Sequence, residues 1–469
     1  MKKIWILCFI LLISVGLNGQ DTSLNSIAGS WMGRLEVSSI SLRIIFNISV
    51  INKDSLGVTL DSPDQGVKNI KIGPVTFDGK TVKIMAPLLL GEYNGRLTND
   101  TLIAGTWKQS GRTFDLNLTR LRTAFKLIRP QEPKPPFPYA SEDVTFMNEK
   151  AGIRLAGTLT IPSGKGPFPA VVMISGSGPQ NRNEEIMGHK PFLVIADYFA
   201  RHGIAVLRYD DRGVGQSQGL RSNATSKDLA SDAMSAFDFL KTQKSIDQRK
   251  IGLAGHSEGG FIAPIVAISR PDVAFIISLA GPGVKGEKIL FRQTKDLILA
   301  SGGTEKQVKD ALSSNARIYS VLKKETDNVK AEEKIREVYK KILIKEKLDT
   351  GEIKTRMDQL NASMSPSSYD WLRYFITTNP ATFWKKVHCP VLALNGEKDV
   401  QVNADINLNA IEKALKSGGN NSFKIIKLPG LNHLFQHCDT GLPAEYGEIE
   451  ETISPDVLRI MSGWILDLR

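Results

Sequence analysis

The chain has 469 residues, 41% hydrophobic and 23% charged, which excludes a disordered protein and leaves room for more than one domain around a large core. Its formal net charge is +11, but the lysines are scattered and interleaved with acids. That pattern reads as a solvated surface and argues against a nucleic-acid partner.

The first element is "MKKIWILCFILLISVGLNGQ": two lysines, an apolar run from Ile4 to Val15, then small and polar residues. This is the layout of a secretory signal peptide over residues 1–19, and the run is too short for a good membrane span. The expected mature protein is exported, periplasmic or secreted, with no stable membrane span. Cys8 lies inside the apolar run, not at a lipoprotein cleavage site. Cys389 is expected at the start of a buried strand and Cys438 beyond the opposite end of its sheet, hence unpaired.

Residues 20–126 read as all-β. "SLRIIFNISV" and "KTVKIMAPLLL" are strand-like, with turn signals "SPDQG", "FDGK" and "TNDT" between such runs. "GSWMGRL" and "GEYNGRL" form a weak repeat whose glycines suit close backbone approach. A small barrel or sandwich is expected. Trp31, Tyr93 and Trp107 are read as core, with a ligand platform as the alternative. Proline-rich residues 127–142, including "RPQEPKPPFPYASE", form neither helix nor central strand and read as a stiff linker.

Over residues 143–469 short β-branched runs ("PAVVMIS", "IAVLRYD", "KIGLAG", "AFIISLAG", "PVLALNG", "FKIIKLPG") alternate with helical stretches. In one of these, Leu229, Ala233, Phe237 and Leu240 recur at helical spacing. This predicts an α/β fold, a mostly parallel sheet with helices on both faces. Chemistry in such sheets sits at the carboxyl ends of the strands.

"GHSEG" follows one such strand and precedes a helix, the setting of a nucleophile elbow with Ser257 exposed on a sharp turn. Side chains at Gly255 and Gly259 would collide with neighbouring strand and helix. The backbone N–H of Glu258, at the helix start, points at a developing oxyanion. A serine needs a base, and the base an orienting acid. Asp399 in "NGEKD" and His433 in "LPGLNHLFQH" follow later strands in the right order. His437 is the competitor for the base and Glu397 for the acid. A metal on His433 and His437 lacks an obvious third ligand, so no metal or other cofactor is expected. His256 reads as structural, and His388 precedes its strand. The loop "SGSGPQNR" supplies the second oxyanion N–H, from Ser177, with Gln180 and Asn181 as wall candidates. Asp210 and Asp211 with Arg212 are expected to tie down a loop.

Residues 282–386 form a long, charged, helix-forming insertion, with Ile335, Val338, Tyr339 and Ile342 at helical spacing. It reads as a helical cap. Tyr369, Trp371, Tyr374 and Phe375 serve either as pocket wall or as packing against the sheet.

Together "SGSGPQNR", "YDDRGVGQS", "GHSEGG", "NGEKD" and "NHLFQ" resemble the α/β-hydrolase superfamily, and in particular bacterial secreted carboxylesterases with a small β domain ahead of the hydrolase domain. Serine aminopeptidase-like and dienelactone-hydrolase-like proteins are more distant relatives. The resemblance implies hydrolysis of small carboxylic esters through an acyl-enzyme, with Ser257, Asp399 and His433 as the triad and the N–H groups of Ser177 and Glu258 as oxyanion hole. Glutamate after the nucleophile departs from the common lipase pattern and argues against a greasy entrance. Two other readings stand: an aminopeptidase or dipeptidyl-peptidase, with Glu258 holding a substrate amine, and a glycan- or envelope-binding protein acting through its β domain.

Overall fold

The computed structural model describes residues 24–37, 40–109, 112–346, 348–363 and 366–468. The expected leader, with Cys8, lies outside the described residues.

Among the described residues ten antiparallel strands close a barrel: β1 (Gly29–Val37), β2 (Ile40–Asn52), β3 (Ser55–Ser62), β4 (Val67–Lys71), β5 (Val75–Phe77), β6 (Thr81–Ala86), β7 (Gly91–Asn99), β8 (Leu102–Gln109), β9 (Arg112–Asp115) and β10 (Leu118–Leu121). Closure comes from β10, which pairs with both β1 and β8. Trp31, Phe46, Tyr93 and Trp107 are buried inside, the Phe46 ring 5.5 Å from Tyr93 and 6.1 Å from Trp107. The aromatics are therefore core, and the platform alternative is overturned by their burial. The glycines around these rings have a related cause. A Cβ at Gly91 would strike the Trp107 ring, and one at Gly95 or Gly105 the Tyr93 hydroxyl.

Eight strands form the second sheet: β11 (Ala140–Asn148), β12 (Ile153–Ile161), β13 (Phe168–Ile174), β14 (Ala205–Tyr209), β15 (Ile246–His256), β16 (Ile276–Leu279), β17 (Val391–Gly396) and β18 (Phe423–Leu428), in the order β11-β12-β14-β13-β15-β16-β17-β18. Strands β11, β12 and β14 pair antiparallel, and the rest are parallel. The β11–β12 hairpin has no counterpart in the sequence reading, and β11 begins inside the stretch read as linker.

Helices α1 (Pro191–Arg201), α2 (Ser226–Lys241) and α3 (Glu258–Ser269) follow β13, β14 and β15. The insertion contributes α4 (Gly286–Ala300), α5 (Glu305–Lys324), α6 (Asn328–Lys345), α7 (Thr350–Ser363), α8 (Tyr369–Thr377) and α9 (Ala381–Trp384), after which come α10 (Ala404–Ser417) and α11 (Pro455–Asp467). Successive residues of a strand face opposite sides. Val172 and Ile174 accordingly pack with Leu229, Ile262 and Leu408 of α2, α3 and α10, while Val171 and Met173 pack with Phe192 and Met461 of α1 and α11. The result is an α/β-hydrolase fold.

Helices α4 to α8 form the cap, with their own core of Ile289, Leu322, Ile335, Tyr369 and Ile376. Side chains of Thr304 and Asp327 cap α5 and α6, as short polar residues do at helix starts. Trp384 of α9 is instead buried in the body core and donates to the Pro282 carbonyl at 3.2 Å. The end of the expected insertion thus belongs to the body. No helix among the described residues is long and apolar enough to cross a membrane.

Candidate active site

Ser257 sits in the turn from β15 to α3 with φ 51° and ψ −117°, a conformation that costs on the order of 1–3 kcal/mol in a non-glycine residue. The strain is held by dense packing. A Cβ at Gly255 would run into the Gly259 carbonyl, and a Cβ at Gly259 into the Ile174 carbonyl at the end of β13. The Ser257 N–H donates to the Leu279 carbonyl at 2.8 Å, fixing the turn to β16.

Asp399 and His433 follow β17 and β18. Backbone bonds tie their loops together, Glu397 N–H to the Leu428 carbonyl at 2.8 Å and Lys398 N–H to the Leu431 carbonyl at 2.9 Å. His433 Nδ1 donates to Asp399 Oδ2 at 2.7 Å, and both side chains are buried. Asp399 Oδ1 accepts from the N–H groups of Gln401 and Val402, each at 2.8 Å. The acid is held on one oxygen and orients the imidazole with the other. Neither competitor takes part. His437 is exposed and bonds Glu451 at 2.9 Å, and Glu397 accepts from the Gly430 N–H at 3.3 Å.

Ser257 and His433 line one cavity of about 520 Å³, which Ser177 and Gln180 also border. The N–H of Glu258 opens α3, where a helix has no internal acceptor for it. Gly176, beside Ser177, would carry a Cβ 3.3 Å from the Ser257 Cβ, so the loop after β13 lies against the Ser257 turn. Asn181 does not line the cavity; its amide donates to Glu185 at 3.3 Å. Of the cap aromatics, Trp371 and Phe375 face the cavity as a stacked pair, rings 5.5 Å apart, whereas Tyr369 is buried in the cap.

A second buried pair lies beneath the site. Glu184 Oε1 accepts from the Gly176 N–H at 2.6 Å and from His256 Nδ1 at 3.0 Å. His256 Nε2 faces the His433 carbonyl at 3.0 Å. Both ring nitrogens meet acceptors, which favours the imidazolium. Burial opposes that charge, but Glu184, the His433 carbonyl and Asp399 together outweigh it, and His256 is raised above the ordinary histidine value. Glu184 sits in a loop without a motif, and sequence reasoning missed it.

Glu258 is not among the residues that line the cavity. Its Oε1 accepts from Ser226 Oγ at 2.5 Å and Trp371 Nε1 at 2.7 Å, and Arg221 Nη2 stands 3.7 Å from Oε2. Buried and so engaged, it is no anchor for a substrate amine, contrary to that expectation. Nearby, burial pushes the Asp211 carboxyl up to about 7, against the Ser175 hydroxyl it accepts from at 2.7 Å and the charge of Arg221. Asp210 pairs with Arg182. Arg212 pairs with Asp232 of α2 and with neither expected partner. Cys389 and Cys438 are free.

Among curated relatives, Esterase EstD of Thermotoga maritima is 29% identical over 315 residues, covering 66% of this chain and 65% of EstD. Thiohydrolase aneE of Aspergillus aculeatus is 35% identical over 129 residues, 27% of this chain and 38% of that protein. The chain thus spans just under two thirds of EstD and well under half of aneE. Among solved structures, Est1E from Butyrivibrio proteoclasticus with ferulic acid bound is 16% identical at a TM-score of 0.42, covering 69% of this chain and 98% of that one. An esterase of Pyrococcus furiosus is 13% identical at 0.43, covering 73% and 98%. Residues 151–426 match the family described as X-Pro dipeptidyl-peptidase (S15 family). That match takes in more than half of the 469 residues, and the chain belongs to the S15 family.

Proposed function

We propose that the protein is a serine hydrolase that cleaves carboxylic esters of small acyl groups. His433 takes the proton of Ser257 as its oxygen attacks the ester carbonyl, and Asp399 stabilises the imidazolium. The N–H groups of Ser177 and Glu258 receive the oxyanion; the alcohol leaves with the proton from His433, and water activated by His433 releases the acid. The steps use no metal or organic cofactor.

The observation that carries this reading is the 2.7 Å bond from His433 to Asp399 at a cavity that Ser257 also lines. About 520 Å³, walled by Leu290, Trp371 and Phe375, is enough for a small ester. EstD, named an esterase, supports the same chemistry.

The family match favours a second reading, cleavage of an X-Pro dipeptide from a peptide amino terminus. Such an enzyme needs a carboxylate free to hold the substrate amine. Among the described residues the one carboxylate lining the cavity, Glu184, is already bonded to Gly176 and His256. That observation weighs toward esters.

The test is turnover of p-nitrophenyl esters of rising chain length beside X-Pro dipeptidyl-p-nitroanilides, with Ser257→Ala as blank. Ester cleavage that falls with chain length, with silent anilides, is expected. Faster anilide cleavage would make the protein a peptidase, and wild-type-like turnover by Ser257→Ala would remove the mechanism altogether.

A further inference from the structure

The barrel meets the α/β body at two loops that also wall the cavity. Residues 185–189 carry Ile186 and Met187, and residues 442–449 carry Pro443 and Tyr446. Behind them stand Arg43 of β2, Asp64 in the turn after β3, and Arg129 in the linker, each more than nine-tenths buried.

The two arginines grip the loops by their carbonyls, and Asp64 holds Arg43 in place. Arg43 Nε donates to Asp64 Oδ1 at 3.0 Å, and Arg43 Nη2 donates to the Gly447 carbonyl at 2.9 Å. Arg129 Nη2 donates to the same carbonyl and to that of Met187, both at 2.9 Å, while its Nη1 reaches the Ile449 carbonyl at 3.2 Å. His189 Nε2 donates to the Tyr446 carbonyl at 2.8 Å. The fit is close: a Cβ at Gly447 would lie 2.8 Å from Asp64 Oδ1. On the cavity side Gln401 Nε2 donates to the Tyr446 hydroxyl at 3.0 Å, two residues after Asp399. Burial and the nearby Arg43 bring Arg129 down to about 10, so it remains a cation at neutral pH.

Two buried arginines, of which only Arg43 has a carboxylate partner, are costly to desolvate. The exposed Arg34–Glu448 pair spans the same boundary without touching a loop carbonyl. The donors of Arg43 and Arg129 end on Gly447 and Met187, one beside a wall residue and one itself in the wall. We infer that the β barrel is a working part of the substrate cavity, its Arg43–Asp64–Arg129 clamp setting the positions of Tyr446 and Met187 and so the acyl groups that fit. This rests on the esterase reading. The three are positioning residues and touch no substrate.

The test compares p-nitrophenyl acetate with p-nitrophenyl octanoate in the full chain. Lysine keeps the charge of Arg129 but cannot fork to three carbonyls. In Arg129→Lys, acetate turnover is expected to stay within about two-fold, while the preference for acetate over octanoate falls about ten-fold, as loosened positioning commonly costs. Gly447→Ala, which wedges the same contact, should give the same profile and serves if the lysine variant does not fold. Arg34→Ala should leave the preference unchanged. Hydrogen exchange over residues 442–449 reads the clamp without substrate and should quicken in both clamp variants. Unchanged exchange, an unchanged preference in folded protein, or a parallel fall for both esters together with the melting temperature would overturn the inference. A wild type that cleaves neither ester while exchange responds as expected would instead count against the esterase reading.

Discussion

The indole Nε1 of Trp371 donates to Glu258 Oε1 at 2.7 Å, so the cap is bonded to the residue that follows Ser257. A hydrogen bond to a buried charged group contributes about 1.5–3 kcal/mol. In Trp371→Phe the ring stays against Phe375 but the donor is lost. Trypsin should then cut the cap lysines about ten-fold faster or more, because local opening becomes easier. Digestion at the wild-type rate would mean the bond does not hold the cap down.

Asp399→Asn should leave the fold intact and lower kcat by on the order of 10³–10⁴. The reason is local. The N–H groups of Gln401 and Val402 claim the Oδ1 position, which turns the amide NH₂ of asparagine toward His433 Nδ1. The imidazole must then carry its proton on Nε2 and cannot act as base. Steady-state rates with a matched melting temperature check this, and a loss below about ten-fold would count against Asp399 as the orienting acid.

The pair Glu184–His256 makes a pH prediction with a definite sign. Folding raises His256 above its ordinary value of 6.5. Its contribution is therefore complete below that value and is lost as pH rises through the raised one. The melting temperature of wild type should exceed that of Glu184→Gln most near pH 6, with the gap narrowing toward pH 9. A gap constant across that range would mean His256 is not held as a cation.

Gly259→Ala should be far worse than Gly430→Ala. The first forces a methyl group into the Ile174 carbonyl, whereas the second, at φ 72°, meets nothing within 4 Å. About 1 kcal/mol is expected at Gly430 from backbone strain alone. At Gly259 about 3 kcal/mol or more, or no soluble protein, is expected. Thermal melts of the two variants decide it.

The loops after β15, β17 and β18 that border the cavity were legible because each follows an apolar β-branched run and carries a residue type with few structural uses. Ser257, Asp399 and His433 were singled out in that way; the structure brings Ser257 and His433 to one cavity and Asp399 and His433 into hydrogen-bond contact. What stayed hidden has no periodicity to give it away. Strand β11 is an edge strand exposed along most of its length, so "ASEDVT" resembles linker. Glu184 acts through its own carboxylate at a positive φ in an irregular loop, and neither property leaves a pattern. Arg212 lies beside Asp210 and Asp211 in sequence but reaches across to Asp232; adjacency in the chain was a poor guide to pairing. Trp384 sits at the end of the stretch read as cap, yet its burial in the body core depends on contacts distant in the chain.

The closure of the barrel through β10 governs how this protein tolerates cutting. Strand β10 is the last element before the proline-rich stretch and is also the ring's closing member, bonded to β1 on one side and β8 on the other. A break after Leu121 leaves the ring whole. A break ahead of Leu118 frees stretches of β1 and β8 together, two rows of unpaired backbone donors and acceptors able to recruit strands from other molecules. Fragments ending a few residues apart should therefore differ sharply in solubility, one staying dispersed and the other aggregating.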